Sequence, residues 1–270
     1  MTHWVACTRM YDVTPEVRAH WHAVLRHVAD RAGLELECID HAAPAPLTDL
    51  WARDDLALAF MCGLPFATRH HDVRPLAAPV TVLSENDAPT YRSAWLVRAD
   101  SAFDSLVSTF GHRIGWLAEH SHSGFNAPRN ALLAYRSSDR PTLYRASIGP
   151  LEHPRGALRA LADGRVDVFA LDAWWWWLLE RHDQETAAGF RTIGKTATAP
   201  IPPLVCSATF PVEMEKRLAA ALLAADQDDA VTPHLAALGV LSFVGVTDGE
   251  YDVLAHVDGS ARAAGYPLPG

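Results

Sequence analysis

Residues 56–62 read LALAFMC, an almost unbroken apolar run of strand length that stops at Gly63 and Pro65. A strand without polar alternation has both faces covered, which is the condition of a central strand in a parallel sheet flanked by helices. The preceding sequence agrees. Residues 3–8 have strand character, and Thr14 and Pro15 supply an N-cap and a first helical residue. An amphipathic stretch then runs to a stop at Gly33, and residues 34–39 return to strand character. The chain therefore opens as a βαβ unit, and residues 76–83 (LAAPVTVL) add another strand.

The same grammar repeats in the middle of the chain. Strands are predicted at residues 94–97, 113–117, 143–147 and 166–171, with helical segments near Phe103, after Ser123, after Pro154 and after Asp172. Strands at 190–193 and 204–206 follow, then helices at 211–225, 230–238 and about 249–264. The simplest arrangement is two α/β lobes, one of residues 1–88 plus 190–270 and the other of residues 89–189. Two crossings would make a hinge, and a cleft between lobes is a preferred place for a small ligand. The proline-rich residues 200–203 sit where the return crossing is expected.

Composition narrows the function. A chain of 270 residues, 49% apolar and 20% charged, buries a core without disulfides or metals. Its formal charge is 23 minus 32, or −9, and no dense Lys/Arg run is present, so nucleic acid is not an expected partner. A small anion still is, because backbone amides and helix starts carry local positive potential whatever the net charge. No window approaches 18 consecutive apolar residues, so no membrane insertion is expected. The opening MTHWVACTRMYD has neither a basic n-region nor a long apolar h-region, so no secretory leader is visible; either the chain omits one or an intracellular relative is expected. Cys7, Cys38, Cys62 and Cys206 are isolated, with no CxxC spacing. No metal and no cofactor are expected, and the chain is expected to be a monomer.

Four segments carry chemistry. Residues 119–129 (EHSHSGFNAPR) follow a strand and open a helix, which places Ser121 and Ser123 in the turn and lets the backbone at Gly124 approach a ligand. The following amides are then unpaired donors, an anion cradle; in the plainer reading Ser123 is only an N-cap and Gly124 only a turn. Residues 88–93 (APTYRS) put Tyr91 and Arg92 at the predicted crossing, with a hydroxyl and a guanidinium fork for an oxyanion. In LEHPRGALRAL, His153 stands at a helix entrance. In DVFALDAWWWWLL, Asp172 ends a strand and caps a helix, facing the strand ends where α/β ligands bind. Trp174 to Trp177 point all round that helix, so at least one packs inward and at least one approaches the cleft or the surface, Trp175 being the candidate.

Taken in order, Cys62-Gly63-Leu64-Pro65, Pro89-Thr90-Tyr91-Arg92-Ser93, Ser121-His122-Ser123-Gly124-Phe125-Asn126 with Arg129, His153, and Ala162-Asp163-Gly164-Arg165-Val166-Asp167-Val168 leading to Asp172 resemble the phosphate/phosphonate substrate-binding proteins of ABC transporters. These are the PhnD-like branch of the type 2 periplasmic-binding-protein fold, and the resemblance runs from about Met10 to about Pro203. It implies a two-lobed α/β fold with a mixed sheet in each lobe and an interlobe ligand cleft. It further implies capture of a small oxyanion, phosphate or phosphonate or a related organophosphorus compound, for a transporter permease, in the periplasm. Carried over, the ligand residues are Tyr91, Ser121, Ser123, Gly124, His153 and Asp172, with Tyr11, Cys62 and Gly63 facing the ligand from the first lobe. The sequence departs from the family at His120, where an aspartate is usual, and in the tryptophan run, where an indole face would favour a ligand with an organic or cationic portion.

Three rivals share these residues. Ser123, His153 and Asp172 can be written as a hydrolytic triad, although no G-x-S-x-G elbow accompanies them. His120, His122, His153 and Asp172 can be written as metal ligands, although 14 scattered histidines also give chance pairs such as His20/His22 and His70/His71. A cytoplasmic sensor domain on the same fold is the third, and it suits a chain in which no leader is visible.

Overall fold

The computed structural model describes residues 3–43, 45–68 and 72–270, so the His70/His71 pair lies outside the described residues. The chain divides into two compact units, Met1–Thr90 with Pro200–Tyr251 and Tyr91–Ala199 with Asp252–Gly270. Unit 1 begins with β1 (Trp4–Cys7), α1 (Pro15–Ala32), β2 (Leu36–Cys38), α2 (Leu47–Trp51), β3 (Leu56–Phe60), α3 (Gly63–Ala67) and β4 (Val73–Thr81), and reaches the boundary in β5 (Thr90–Tyr91). Unit 2 follows with β6 (Ser93–Arg98), β7 (Arg113–Gly115), a π-helical turn (His122–Asn126) running straight into α4 (Ala127–Leu133), and β8 (Ala146–Ile148). It continues through α5 (Pro154–Ala162), β9 (Val168–Asp172), α6 (Ala173–His182), α7 (Gln184–Ala187) and β10 (Phe190–Lys195). After β11 (Ala199–Pro200) the chain returns to unit 1 for β12 (Leu204–Ser207), α8 (Val212–Leu223), α9 (Thr232–Leu238) and β13 (Val240–Val244), and α10 (Asp252–Ala263) belongs again to unit 2.

Each unit is built on a mixed sheet. In unit 1 the order is β13-β4-β12-β3-β1-β2, with β1 parallel to β2 and β3 and with β12 antiparallel to its neighbours. All five residues of β3 are buried, as an apolar run covered on both faces requires. Helix α1 forms for the reasons legible in its sequence. The Thr14 side chain accepts the Val17 amide at 3.1 Å, Pro15 takes the first helical position, and Gly33 closes the helix at φ 63°, a left-handed conformation that favours glycine. Trp21 from α1 lies edge-on to Phe60 of β3 at 5.1 Å and joins helix to sheet.

In unit 2 the order is β10-β6-β9-β7-β8, with β7 parallel to both β8 and β9, and β6 antiparallel to β9 and β10. Arg113 clips the start of β7 to the residue before β9 through a two-armed contact with Asp167, both arms 2.8 Å. The hydrogen bonds from Arg113 hold the Asp167 carboxyl below its usual range.

The boundaries differ from the sequence expectation at two places. Residues 190–195 form β10 and add a strand to β6 from Phe190↔Arg98 to Lys195↔Ala94, so they belong to unit 2 rather than to the first lobe. The return passage falls at 199/200, in the proline-rich stretch itself. Residues 252–270 also join unit 2, where Tyr266 enters the core with Trp95, Ile114, Leu132 and Val168. A lone tyrosine among small and polar residues carries no periodic signal, which is why this third passage was not anticipated. The helix expected near Phe103 is replaced by loop and a 3₁₀ turn at Val107–Thr109, and Phe103 packs its ring on His112 at 4.8 Å instead. No helix among the described residues is long and apolar enough to cross a membrane.

Two substitutions test the account of α1. Thr14→Ala is expected to lower unfolding stability by about 1 kcal/mol, and Gly33→Ala by a similar amount because of its positive φ. Urea denaturation of the two variants checks both.

Candidate functional site

Strand order alone gathers the chemistry of unit 2. Because β7, β8 and β9 run parallel, their carboxyl ends emerge at one edge of the sheet, which is where open α/β sheets place ligands. The end of β7 leads to the Ser121–Asn126 turn, the end of β8 to His153, and β9 ends on Asp172. Antiparallel β6 starts at this edge, with Ser93 opposite Asp172, and so brings Tyr91 and Arg92 to it. Four segments far apart in sequence are thus delivered to one place.

Backbone hydrogen bonds set the two loops against each other. The Trp116 amide donates to Ile148 O (3.0 Å) and its carbonyl accepts from the Leu151 amide (3.0 Å). The Leu117 amide donates to Gly124 O (3.1 Å) and its carbonyl accepts from the Glu152 amide (2.9 Å). Glu152 has φ 66°, and the His153 amide donates across it to Leu151 O at 2.8 Å, a tight γ-turn that is strained for a residue with a side chain. The strain is held by the stitched loops and delivers His153 to the start of α5.

The serine-glycine turn is partly self-satisfied. Ser121 Oγ accepts the Gly124 amide at 3.0 Å, so the two are paired with each other rather than left as an open cradle. Ser123 differs: among the described residues its amide and hydroxyl have no hydrogen-bond partner, and at 9% exposure it stays within reach of solvent. No acidic residue lies in the first turn of the π-helical segment or of α4. A Cβ at Gly124 would fall 2.4 Å from Leu117 Cγ, so only glycine fits there while Leu117 is stitched in place.

His153 and Asp172 are helix caps. The Gly156 amide donates to His153 Nδ1 at 3.1 Å, which places the ring proton on Nε2. Asp172 Oδ1 accepts the amides of Trp174 (2.8 Å) and Trp175 (3.1 Å). A hydrolytic triad needs a histidine Nδ1–H donating to the carboxylate, and here Nδ1 is already an acceptor. The geometry therefore departs from the triad reading.

The remaining candidates fall into place by burial. Tyr91 is buried, its ring 6.1 Å from that of His122. His120 is exposed at the rim of the turn. Trp174, Trp175 and Trp176 are all buried, and Trp177 is the half-buried member of the run, under the Arg181 guanidinium at 5.5 Å. In unit 1, Tyr11 is wholly buried with its ring edge-on to Phe60 at 4.8 Å, a packing role in that unit's core. Cys62 and Gly63, both buried, form the start of α3 after β3. Among the described residues no three metal-ligating side chains converge, so His120, His122, His153 and Asp172 do not assemble as a cluster.

Sequence reasoning missed His122 as a structural anchor. Its ring is fully buried, Nδ1 faces the Asn126 amide nitrogen at 3.2 Å, and burial pushes its pKa down to about 4. The S-x-S-G-F-N motif contained both residues, but nothing in its spacing separates a buried imidazole from one that meets a ligand.

The family profile described as ABC transporter, phosphonate, periplasmic substrate-binding protein matches residues 12–251. The chain belongs to this family. Its members are transport binding proteins rather than catalysts, and membership implies a small ligand and a permease partner. No curated protein sequence matches the chain. Among solved structures, the binding-protein component of an ABC phosphonate transporter from Pseudomonas aeruginosa is similar with TM-score 0.79 at 17% identity, over 96% of this chain and 86% of that one. A PhnD protein of Prochlorococcus marinus in complex with methylphosphonate gives 0.75 at 14% identity, over 98% of both chains. A Xanthomonas citri protein bound to ATP gives 0.64 at 18% identity, over 97% of this chain and 98% of that one. These likenesses establish the two-lobed α/β fold of periplasmic binding proteins.

Two outcomes follow from the turn. Gly124→Ala is expected to cost about 1–3 kcal/mol by overpacking, and adding Leu117→Ala in the same chain should recover part of that loss in a thermal melt. His122 titrates at about 4 folded and about 6.5 unfolded, so between those values only the unfolded chain takes up the proton. Its contribution to stability is therefore present above pH 6.5 and declines as the pH falls toward 4. Plotted against pH, the melting temperature of His122→Gln should fall less steeply over that window than that of the parent protein.

Proposed function

We propose that the protein captures a small phosphorus oxyanion, a phosphonate or phosphate or related compound, for an ABC transporter, and that the anion seats on the Ser123 end of the helix running from His122 to Leu133. One observation carries this reading. Three helix starts meet the carboxyl edge of the unit 2 sheet, and two of them are closed by their own caps, α6 by the Asp172 carboxylate and α5 by His153 Nδ1. The third keeps the Ser123 amide and hydroxyl without a partner and has no acidic side chain in its first turn. An anion is the species that a helix start in that condition binds. His153 is a neutral donor at Nε2 under this scheme, and Tyr91 adds a hydroxyl. The Asp172 carboxylate disfavours a fully ionised ligand and favours one carrying a phosphoryl O–H or an amine.

The mode of action is binding with no covalent step, and the ligand is released by the permease. Family membership supports the transport role and a periplasmic setting. The complex of the Prochlorococcus protein with methylphosphonate supports the ligand class, and the ATP bound to the Xanthomonas protein keeps larger phosphates in the comparison.

A thermal-shift and calorimetry panel of methylphosphonate, 2-aminoethylphosphonate, phosphate, phosphite, sulfate, malate and ATP tests the proposal, since binding raises apparent stability by mass action. At least one phosphorus compound is expected to raise the melting temperature. Ser123→Ala should then weaken its affinity by about tenfold or more, the worth of a hydrogen bond to a charged group, with the ligand-free melting temperature nearly unchanged. A shift with malate or sulfate alone, or affinity indifferent to Ser123→Ala, would remove this assignment.

A further inference from the structure

Behind the turn lies a buried polar chain that the transport reading does not use. Arg129, in the first turn of α4, is fully buried. Its Nη2 donates to Asp258 Oδ1 and to Asn126 Oδ1 (3.2 Å), its Nη1 donates to Pro267 O (3.1 Å), and its guanidinium lies over the Phe125 ring at 4.8 Å. Asn126 in turn has its amide nitrogen on His122 Nδ1 (3.2 Å) and on Leu254 O (3.1 Å). A flip of the Asn126 amide would set its oxygen against Leu254 O and its nitrogen against the Arg129 guanidinium, so its orientation is set. The chain thus runs from the α10 carboxylate through a guanidinium and an amide to the buried imidazole, and His122 shares its peptide group with Ser123.

We infer that Asp258 of α10 is a positioning residue for the anion-binding turn, acting through Arg129 and Asn126 to hold His122 and hence to aim the Ser123 amide. A buried guanidinium stays where its counter-charge is, because leaving it unpaired is costly. Asp258 has a second, outward partner on its other oxygen, Arg262 Nε at 2.8 Å, whose side chain is largely exposed. The two arms of one carboxylate therefore separate positioning from simple attachment of α10. The inference rests on the proposed anion site, and it predicts that affinity is set partly from a helix that contributes no ligand contact.

The test compares Asp258→Ala, Asp258→Asn and Arg262→Ala in the full chain. Methylphosphonate affinity is read by calorimetry, and the Ser123 and Gly124 amide resonances are read in ligand-free protein. Asp258→Ala is expected to weaken methylphosphonate binding by about tenfold and to move both resonances. Asp258→Asn, which keeps an acceptor oxygen for Arg129, should lose no more than about threefold, and Arg262→Ala should leave both readouts at parent values. Should Asp258→Ala fail to fold, Asp258→Asn carries the comparison, with displaced resonances and a measurable loss expected. A lowered melting temperature with unchanged affinity and unmoved resonances would overturn the inference and leave α10 a structural element only. If the parent protein binds no oxyanion, the functional reading falls by itself, and the ligand-free resonances still decide whether Asp258 positions the turn.

Discussion

Everything at the candidate site depends on four backbone hydrogen bonds made by two consecutive residues, Trp116 and Leu117. Through them the loop after β7 is joined on one side to the loop after β8 and on the other to Gly124. Backbone bonds of this kind tolerate changes of side chain but fix geometry closely, because donor and acceptor are both part of the main chain. They hold a γ-turn at Glu152 that would not persist in a free loop, and they leave Leu117 so near Gly124 that no Cβ fits between them. The serine turn and His153 are therefore placed by one piece of local structure rather than by separate features.

Within that frame, the helix starts divide the work. Capping is a stabilising interaction available to any helix, and α5 and α6 use it fully, with an imidazole and a carboxylate supplied by their own chain. The segment from His122 is capped only by a neutral hydroxyl that satisfies one amide. It leaves the Ser123 amide and hydroxyl without a protein partner but within reach of solvent, so water or a ligand oxygen can meet them where the starts of α5 and α6 are already closed. The buried imidazole beside it is neutral through the ordinary pH range, so at the proposed site an anion would meet backbone dipoles rather than a charge on His122.

Much of the architecture was legible in the residues. The unbroken apolar run of β3, the Thr14-Pro15 start and Gly33 stop of α1, and the strand-turn-helix junction at Ser121–Asn126 all rest on local signals, namely period, capping and φ. Less legible were features made by partners distant in sequence. Phe190 to Lys195 reads as a strand, but only the free edge of β6 decides which sheet it joins. Asn126 and Arg129 are letters of a motif until Asp258 is seen against them, and nothing in the sequence around Asp258 marks it. At the site, His153 and Asp172 stand on helix starts as the sequence suggests, whereas the cap of the serine turn is Ser121 rather than Ser123, because a sequence cannot tell which hydroxyl closes a turn and which is left open.

The threading of the chain has a consequence for its synthesis. Unit 1 needs β12 and β13 to complete its sheet, and unit 2 needs Tyr266 to complete its core and Asp258 to neutralise Arg129. A nascent chain emerging from the ribosome therefore cannot complete the unit 1 sheet before β13 is made, nor the unit 2 core before Tyr266 is made.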